Sequence, residues 1–148
     1  MKTNWTTILP LLAALSLSTM AGAENSTRQS GYTVHHNAIP TAILTPDIAG
    51  SYAIVRSKYR GLLNVSVIRE EAGTTGTAVT AEVRAHSINL IGKIHEIEMR
   101  EIREEQAIYY IGDYPIVNNE TLTFKLEVTP TGSQELIKSS LKQQFFID

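Results

Sequence analysis

Four histidines, His35, His36, His86 and His95, are the first residues of this chain whose type suits chemistry. Imidazole is the usual general base near neutral pH and the commonest metal ligand. Their spacing works against both uses. Neighbours on an extended strand point to opposite faces, so His35 and His36 cannot grip one ion without a bulge. His86 and His95 flank a linker at Asn89–Gly92 and could approach each other across two strands. Cysteine is absent and Met99 is the only thioether after residue 23, which leaves a poor donor set for copper or zinc. The expectation is no metal site and no cofactor, with weak metal handling through the four histidines as an alternative.

Catalytic constellations are equally thin. Serine hydrolysis needs a serine on a constrained turn beside a histidine and an orienting acid. No G-x-S-x-G occurs, and Ser57 and Ser66 stand in no motif. Glu70, Glu71, Glu104 and Glu105 fall near predicted turns, where solvated charge accounts for them better than a glycosidase-like pair. No glycine-rich phosphate loop leads from a strand into a helix. No catalytic residue is expected. The alternative is a small envelope enzyme pairing His86 or His95 with a carboxylate such as Glu96.

Recognition chemistry is denser. Tyr52, Arg56, Ser57, Lys58, Tyr59 and Arg60 cluster just ahead of Asn64, and Tyr109, Tyr110 and Tyr114 form a second group. A guanidinium binds carboxylates in a fork and stacks on aromatic rings, so arginine with tyrosine suits a binding surface. Tyr52, Arg56, Ser57, Tyr59 and Asn64 are therefore the candidate binding residues. The competing reading has Arg56 pinning a loop carbonyl while the tyrosines pack at a sheet edge.

The elements that must position these groups begin after a leader. Lys2, the apolar run Ile8–Met20 and the small residues Ala21-Gly22-Ala23 predict a secretory signal peptide over 1–23. The run is shorter than the ~20 residues that span a bilayer as a helix. No cysteine follows it for lipid attachment, so no membrane insertion is expected once it is cleaved. The formal charge is −2, and losing Lys2 makes the remainder one unit more acidic. Such a balance supplies no basic field for nucleic acid. Without cysteine the exported chain must hold together by packing and hydrogen bonds alone.

Residues 24–31 read as a flexible polar leader and 32–148 as one domain. A strand is predicted over Tyr32–Ile39, ending at Pro40. Thr45, Pro46 and Asp47 are start signals for a short helix near 46–53. Period-two patterns then predict strands over Leu62–Glu71 and Thr77–His86, joined as a hairpin through Gly73–Gly76. Further strands are expected at Lys93–Arg103 (where a helix competes), Ala107–Gly112, Thr121–Thr129 and Leu136–Ile147, with a loop at Asp113–Asn119. About seven half-buried strands point to an all-β, immunoglobulin-like sandwich of two antiparallel sheets, with a small barrel as the alternative.

Several stretches resemble a family of small exported proteins of Gram-negative bacteria, the domain-of-unknown-function family 4426. They are Leu44-Thr45-Pro46, Tyr52, Arg56–Gly61, Leu63–Val67, Asn89–Gly92, Ala107–Tyr110, Asn119–Phe124 and Gln144–Ile147. The resemblance implies a periplasmic location and brings no activity, cofactor or catalytic residue. The functional expectation is a non-catalytic periplasmic binding module whose partner is an envelope protein or cell-wall component.

Overall fold

The computed structural model describes residues 25–148; the predicted signal peptide lies outside the described residues. In chain order the strands are β1 (Ser26–Gln29), β2 (Tyr32–Pro40), β3 (Arg60–Arg69), β4 (Thr77–Ala78), β5 (Ala81–Asn89), β6 (Ile94–Ile97), β7 (Arg100–Glu104), β8 (Ala107–Pro115), β9 (Glu120–Pro130) and β10 (Ile137–Phe145). One helix, α1 (Pro46–Ser51), follows a 3-10 turn at Thr41–Ile43. The first sheet has the order β1-β2-β3-β8-β7, with β4 also on β3, and the second has the order β10-β9-β5-β6. All pairings are antiparallel. The two-sheet sandwich is the predicted architecture.

Alternation builds its core. Val34 and Ala38 of β2, Leu63, Val65 and Val67 of β3, and Leu122, Phe124, Leu126 and Val128 of β9 all bury between the sheets. Ile137, Leu141 and Phe145 of β10 join them. Their polar neighbours face outward, as a period of two requires. Tyr114, Phe124 and Phe145 meet edge to face, with centroids 4.8, 5.9 and 6.4 Å apart. Each such pair contributes about 1 kcal/mol beyond its buried area. The close packing dictates a glycine at position 61, since a Cβ there would run into the Tyr114 ring.

Several boundaries differ from expectation. The predicted flexible leader contains β1, which pairs with β2 from Ser26 opposite His35 to Gln29 opposite Tyr32. It also closes one side of the sandwich, because the Thr27 and Ser139 hydroxyls lie 2.7 Å apart and Gln29 Nε2 donates to the Leu136 carbonyl at 3.3 Å. Strands number ten among the described residues, not about seven. The predicted hairpin partner of β3 stays on it for two residue pairs only. The chain then crosses at Val79–Thr80 and continues as β5 in the other sheet. The predicted strand Lys93–Arg103 likewise breaks at Glu98–Met99 into β6 and β7, one in each sheet. β8 runs on to Pro115, through the first part of the predicted loop.

Strand register also defines the two ends of the sandwich. Pro40 lies opposite Gly61, Arg60 opposite Pro115, and Phe145 opposite Glu120. One end therefore gathers the 41–59 segment, the turn at 89–92, the loop at 116–119 and the residues after Phe145. The other end carries the turns at 30–31, 73–76, 105–106 and 131–132.

Candidate functional site

α1 starts where Thr45 Oγ1 accepts the Ile48 N–H at 3.3 Å, with Pro46 at the first helical position. It packs on the outer face of the first sheet, making a second small core from Leu44, Ala49, Tyr52, Leu62 and Ile111. Tyr52 is buried there, and its carbonyl accepts from the Arg100 guanidinium. Arg56 Nε donates to the Leu44 carbonyl at 2.7 Å, and a terminal nitrogen to that of Ala42 at 3.4 Å. Ser57 N–H donates to Thr41 Oγ1 at 2.9 Å, while that hydroxyl donates to the Ser57 carbonyl at 3.0 Å. Tyr59 is 57% exposed, with Lys58 Nζ 5.3 Å from its ring centroid. Asn64 sits on the outer face of β3 between Asn37 and Ile111, and its Oδ1 is buried with no partner among the described residues.

The five candidate residues thus do not converge on one ligand-sized space. Tyr52, Arg56 and Ser57 use their polar groups to fasten the 41–57 segment, and only Tyr59 offers its ring to solvent. In the second tyrosine group, Tyr110 Oη accepts from Ala81 N–H at 2.8 Å and donates to Glu101 at 3.2 Å. Tyr114 is fully buried, and burial pushes its hydroxyl pKa far up.

The histidines are separated by the same alternation. His36 points into the main core between Val34 and Ala38, opposite Val65, and is 3% exposed. Neither ring nitrogen has a hydrogen-bond partner among the described residues. Burial, and then the neighbouring His35, push its pKa below the ordinary value, against a smaller opposing pull from its own backbone. His35 faces outward, its pKa lowered by burial and by the Arg28 guanidinium. His86 lies opposite Glu96 and Ser87 opposite His95, so His86 and His95 project from opposite faces of the second sheet. Among the described residues no three of His, Cys, Asp and Glu gather as a metal would require. His86 and Glu96 share the outer face of that sheet with Lys125. The hollow of about 220 Å³ on that face is lined by Glu82, Arg84, Glu127, Thr129 and Leu136, without a histidine.

A feature the sequence reading missed lies at the end that holds Tyr59. Among the described residues nine large apolar side chains are exposed. Eight of them, Ile43, Val55, Tyr59, Leu90, Ile91, Ile94, Val117 and Phe146, belong to the segments of that end, and Leu136 alone sits at the other. Hydrogen bonds tie the 59, 116–118 and 147 positions together. Ile116 N–H donates to the Tyr59 carbonyl at 2.9 Å and Ile147 N–H to Asn118 Oδ1 at 2.9 Å. The tip is the turn between β5 and β6. Its shape comes from Asn89, whose carbonyl accepts Gly92 N–H at 3.0 Å and whose Oδ1 accepts Ile91 N–H at 3.2 Å and Lys93 N–H at 2.8 Å. Gly92, at φ +81°, supplies the left-handed residue. The side chains of Leu90 and Ile91, 77% and 87% exposed, make no hydrogen bond in that turn. The available signal was two large aliphatic residues in turn positions where Gly, Asn and Asp prevail.

Comparison with known proteins bears on this geometry. The family model described as a domain of unknown function, DUF4426, matches residues 26–148. The crystal structure of a DUF4426 family protein, PA0388 from Pseudomonas aeruginosa PAO1, is 32% identical. It covers 83% of this chain and 94% of its own, with a TM-score of 0.69. FetP of uropathogenic Escherichia coli strain F11, expressed in the periplasm, shares the fold at 9% identity, covering 84% of this chain and 94% of its own with a TM-score of 0.60. A copper-bound variant of FetP aligns similarly, at 9% identity over 81% and 93%, with a TM-score of 0.59. No curated protein matches the chain. Among the described residues no helix is long and apolar enough to cross a membrane.

Proposed function

The chain belongs to the DUF4426 family, and on that premise we propose that it is an exported, non-catalytic interaction module of the cell envelope, working in the periplasm. The observation that carries this reading is the gathering of eight exposed large apolar side chains at one end of the sandwich. Apolar side chains scattered evenly over a surface need no explanation, whereas eight of nine falling on the segments of one end mark that end as a contact surface. The predicted signal peptide supports the location, as does the recombinant expression of the fold relative FetP in the periplasm. The docking face is the apolar end, reached by Tyr59 from the predicted binding segment, while Tyr52, Arg56 and Ser57 hold that end in shape. Copper, which a variant of FetP binds, is not carried over, because the histidines here point to different faces and no donor cluster forms among the described residues.

Crosslinking in the native envelope tests the reading. Wild-type chain captures a component through the apolar end, and the Leu90→Ser/Ile91→Ser variant, equally folded, loses it. Capture that is indifferent to these substitutions sinks the assignment of the face. Turnover of an envelope substrate that disappears in His86→Ala would replace it with the enzyme reading.

A further inference from the structure

Resting on that reading, we propose that the apolar end lies against a phospholipid bilayer, with Leu90 and Ile91 as the tip that enters it. Three observations converge. The first is shape: exposed apolar groups sit on separate segments where strands end, namely the 89–92 turn, the 116–119 loop, Tyr59 before β3 and Phe146 after β10. Such a crown presents protrusions rather than a groove, which suits a deformable apolar layer. A second copy offers these tips a poor seat in the hollow of its outer face, where Glu82, Arg84 and Glu127 are charged.

The second observation is the direction in which the chain enters the fold. β1 runs antiparallel to β2, with Ser26 opposite His35, and the Asn25 carbonyl accepts from His36 N–H at 3.0 Å. β2 ends at Pro40, at the apolar end. Followed backward from Ser26, the chain therefore heads toward that same end, roughly 17 Å away at about 3.3 Å per strand residue. The apolar run Ile8–Met20 precedes it in the sequence. A predicted signal segment attached there would bring the apolar end to the membrane.

The third is composition. Lys58 over Tyr59 and Lys93 two residues after Ile91 place long basic side chains beside the apolar tips. Lysine stems lie along apolar surface while their ammonium groups reach headgroup phosphates, and tyrosine settles at the same depth. Asp47, Asp113, Glu120 and Asp148 balance the basic groups of this end, and Glu120 turns its carboxylate onto the Val117 N–H at 3.1 Å. Adsorption is accordingly driven by apolar burial more than by charge.

Every described strand and both cores lie within 25–148, so the exported chain freed of residues 1–23 is the sample to use. Flotation with phosphatidylethanolamine–phosphatidylglycerol vesicles should carry the wild type upward. Raising salt well above physiological ionic strength should change the bound fraction less than about twofold. Leu90→Ser/Ile91→Ser should reduce partitioning at least ~10-fold while unfolding at the wild-type midpoint, since two aliphatic side chains leave the contact. Leu136→Ser, at the opposite end, should float like the wild type. Wild type that stays with the buffer, or a double variant that floats unimpaired, overturns the bilayer assignment. If vesicles are ignored but envelope crosslinking to a protein depends on Leu90 and Ile91, the interaction module stands and the lipid falls. A concentration-dependent dimer lost in the double variant assigns the face to a second copy and likewise rejects the lipid.

Discussion

Arg56 and Tyr59 lie three residues apart in one segment and do opposite work. Arg56 gives its guanidinium to the Leu44 and Ala42 carbonyls. Arg56→Met should cost about 1 kcal/mol, the scale of one charge-assisted bond that is only partly shielded from water. Tyr52→Ala empties the small core under α1 and should cost about 3 kcal/mol, as for a large aromatic truncation. Tyr59→Ala should stay within about 0.5 kcal/mol, because the ring is exposed. Urea unfolding of the three variants sorts fold-holding residues from docking residues, and a neutral Tyr52→Ala would refute the packing role given to that ring. His36 adds a pH dependence. Its folded pKa is lowered from 6.5 by burial, so the unfolded chain takes the proton first. Stability is therefore complete above pH 6.5 and falls as the pH drops through that value toward the folded pKa. His35, lowered for related reasons, acts in the same window, whereas the lowered carboxyls of Glu71 and Glu101 act only below about 4.5. His36→Leu should reduce the slope of melting temperature between pH 6.5 and 5, leaving the part due to His35. An unchanged slope would mean that His36 is not the group responsible.

At the scale of elements, β1 makes the most pointed prediction. It covers the edge of β2 and bonds across to β10 through Thr27 and Ser139. A chain starting at Tyr32, the domain boundary read from sequence, should unfold at lower urea and self-associate, because it bares the Tyr32–His35 edge of β2 that β1 covers. Equal stability and a monomeric state would show β1 to be an ornament. The misreading has a physical source: Ser26–Gln29 is polar on both faces, so hydrogen bonds to β2, and not hydrophobic alternation, make it a strand. By contrast β2, β3, β9 and β10 were legible because one wet face and one buried face imprint a period of two, and α1 because Thr45, Pro46 and Asp47 form its first turn. The sheet crossings were not legible. A chain stepping from one sheet to the other keeps the same core beside it, so Val79 and Ala81, or Ile97 and Met99, stay in phase through the break. Periodicity reports burial and is silent about which sheet provides it. The candidate site suffered likewise, since nothing in the letters separates an arginine that clamps a carbonyl from one that meets a ligand. The turn at Asn89–Gly92 read as a linker because its two turn-makers masked the pair between them.

Over the whole molecule, the groups that carry stability and those proposed for docking are arranged along different axes. β3 is flanked by β2 and β8, and β9 by β10 and β5, so each sheet has a spine paired on both edges. The two spines face each other through Leu63, Val65 and Val67 on one side and Leu122, Phe124, Leu126 and Val128 on the other. Backbone groups there can meet water only when both sheets part. Amides of β3 and β9 should therefore exchange slowest and at matching rates, through global unfolding. Outward from the spines, β1, β6, β7 and β10 are edge strands and α1 leans on the outside of the first sheet, so their amides should exchange sooner. The 89–92 turn should be quick at Leu90 yet slower at Lys93, whose N–H is held by Asn89 Oδ1. Hydrogen–deuterium exchange read by NMR checks each of these. If β3 and β9 exchanged at widely different rates, the sheets would open independently and the sandwich would not be one cooperative unit. With the spines closed, the proposed docking at the apolar end would involve loops alone, at little cost to the core.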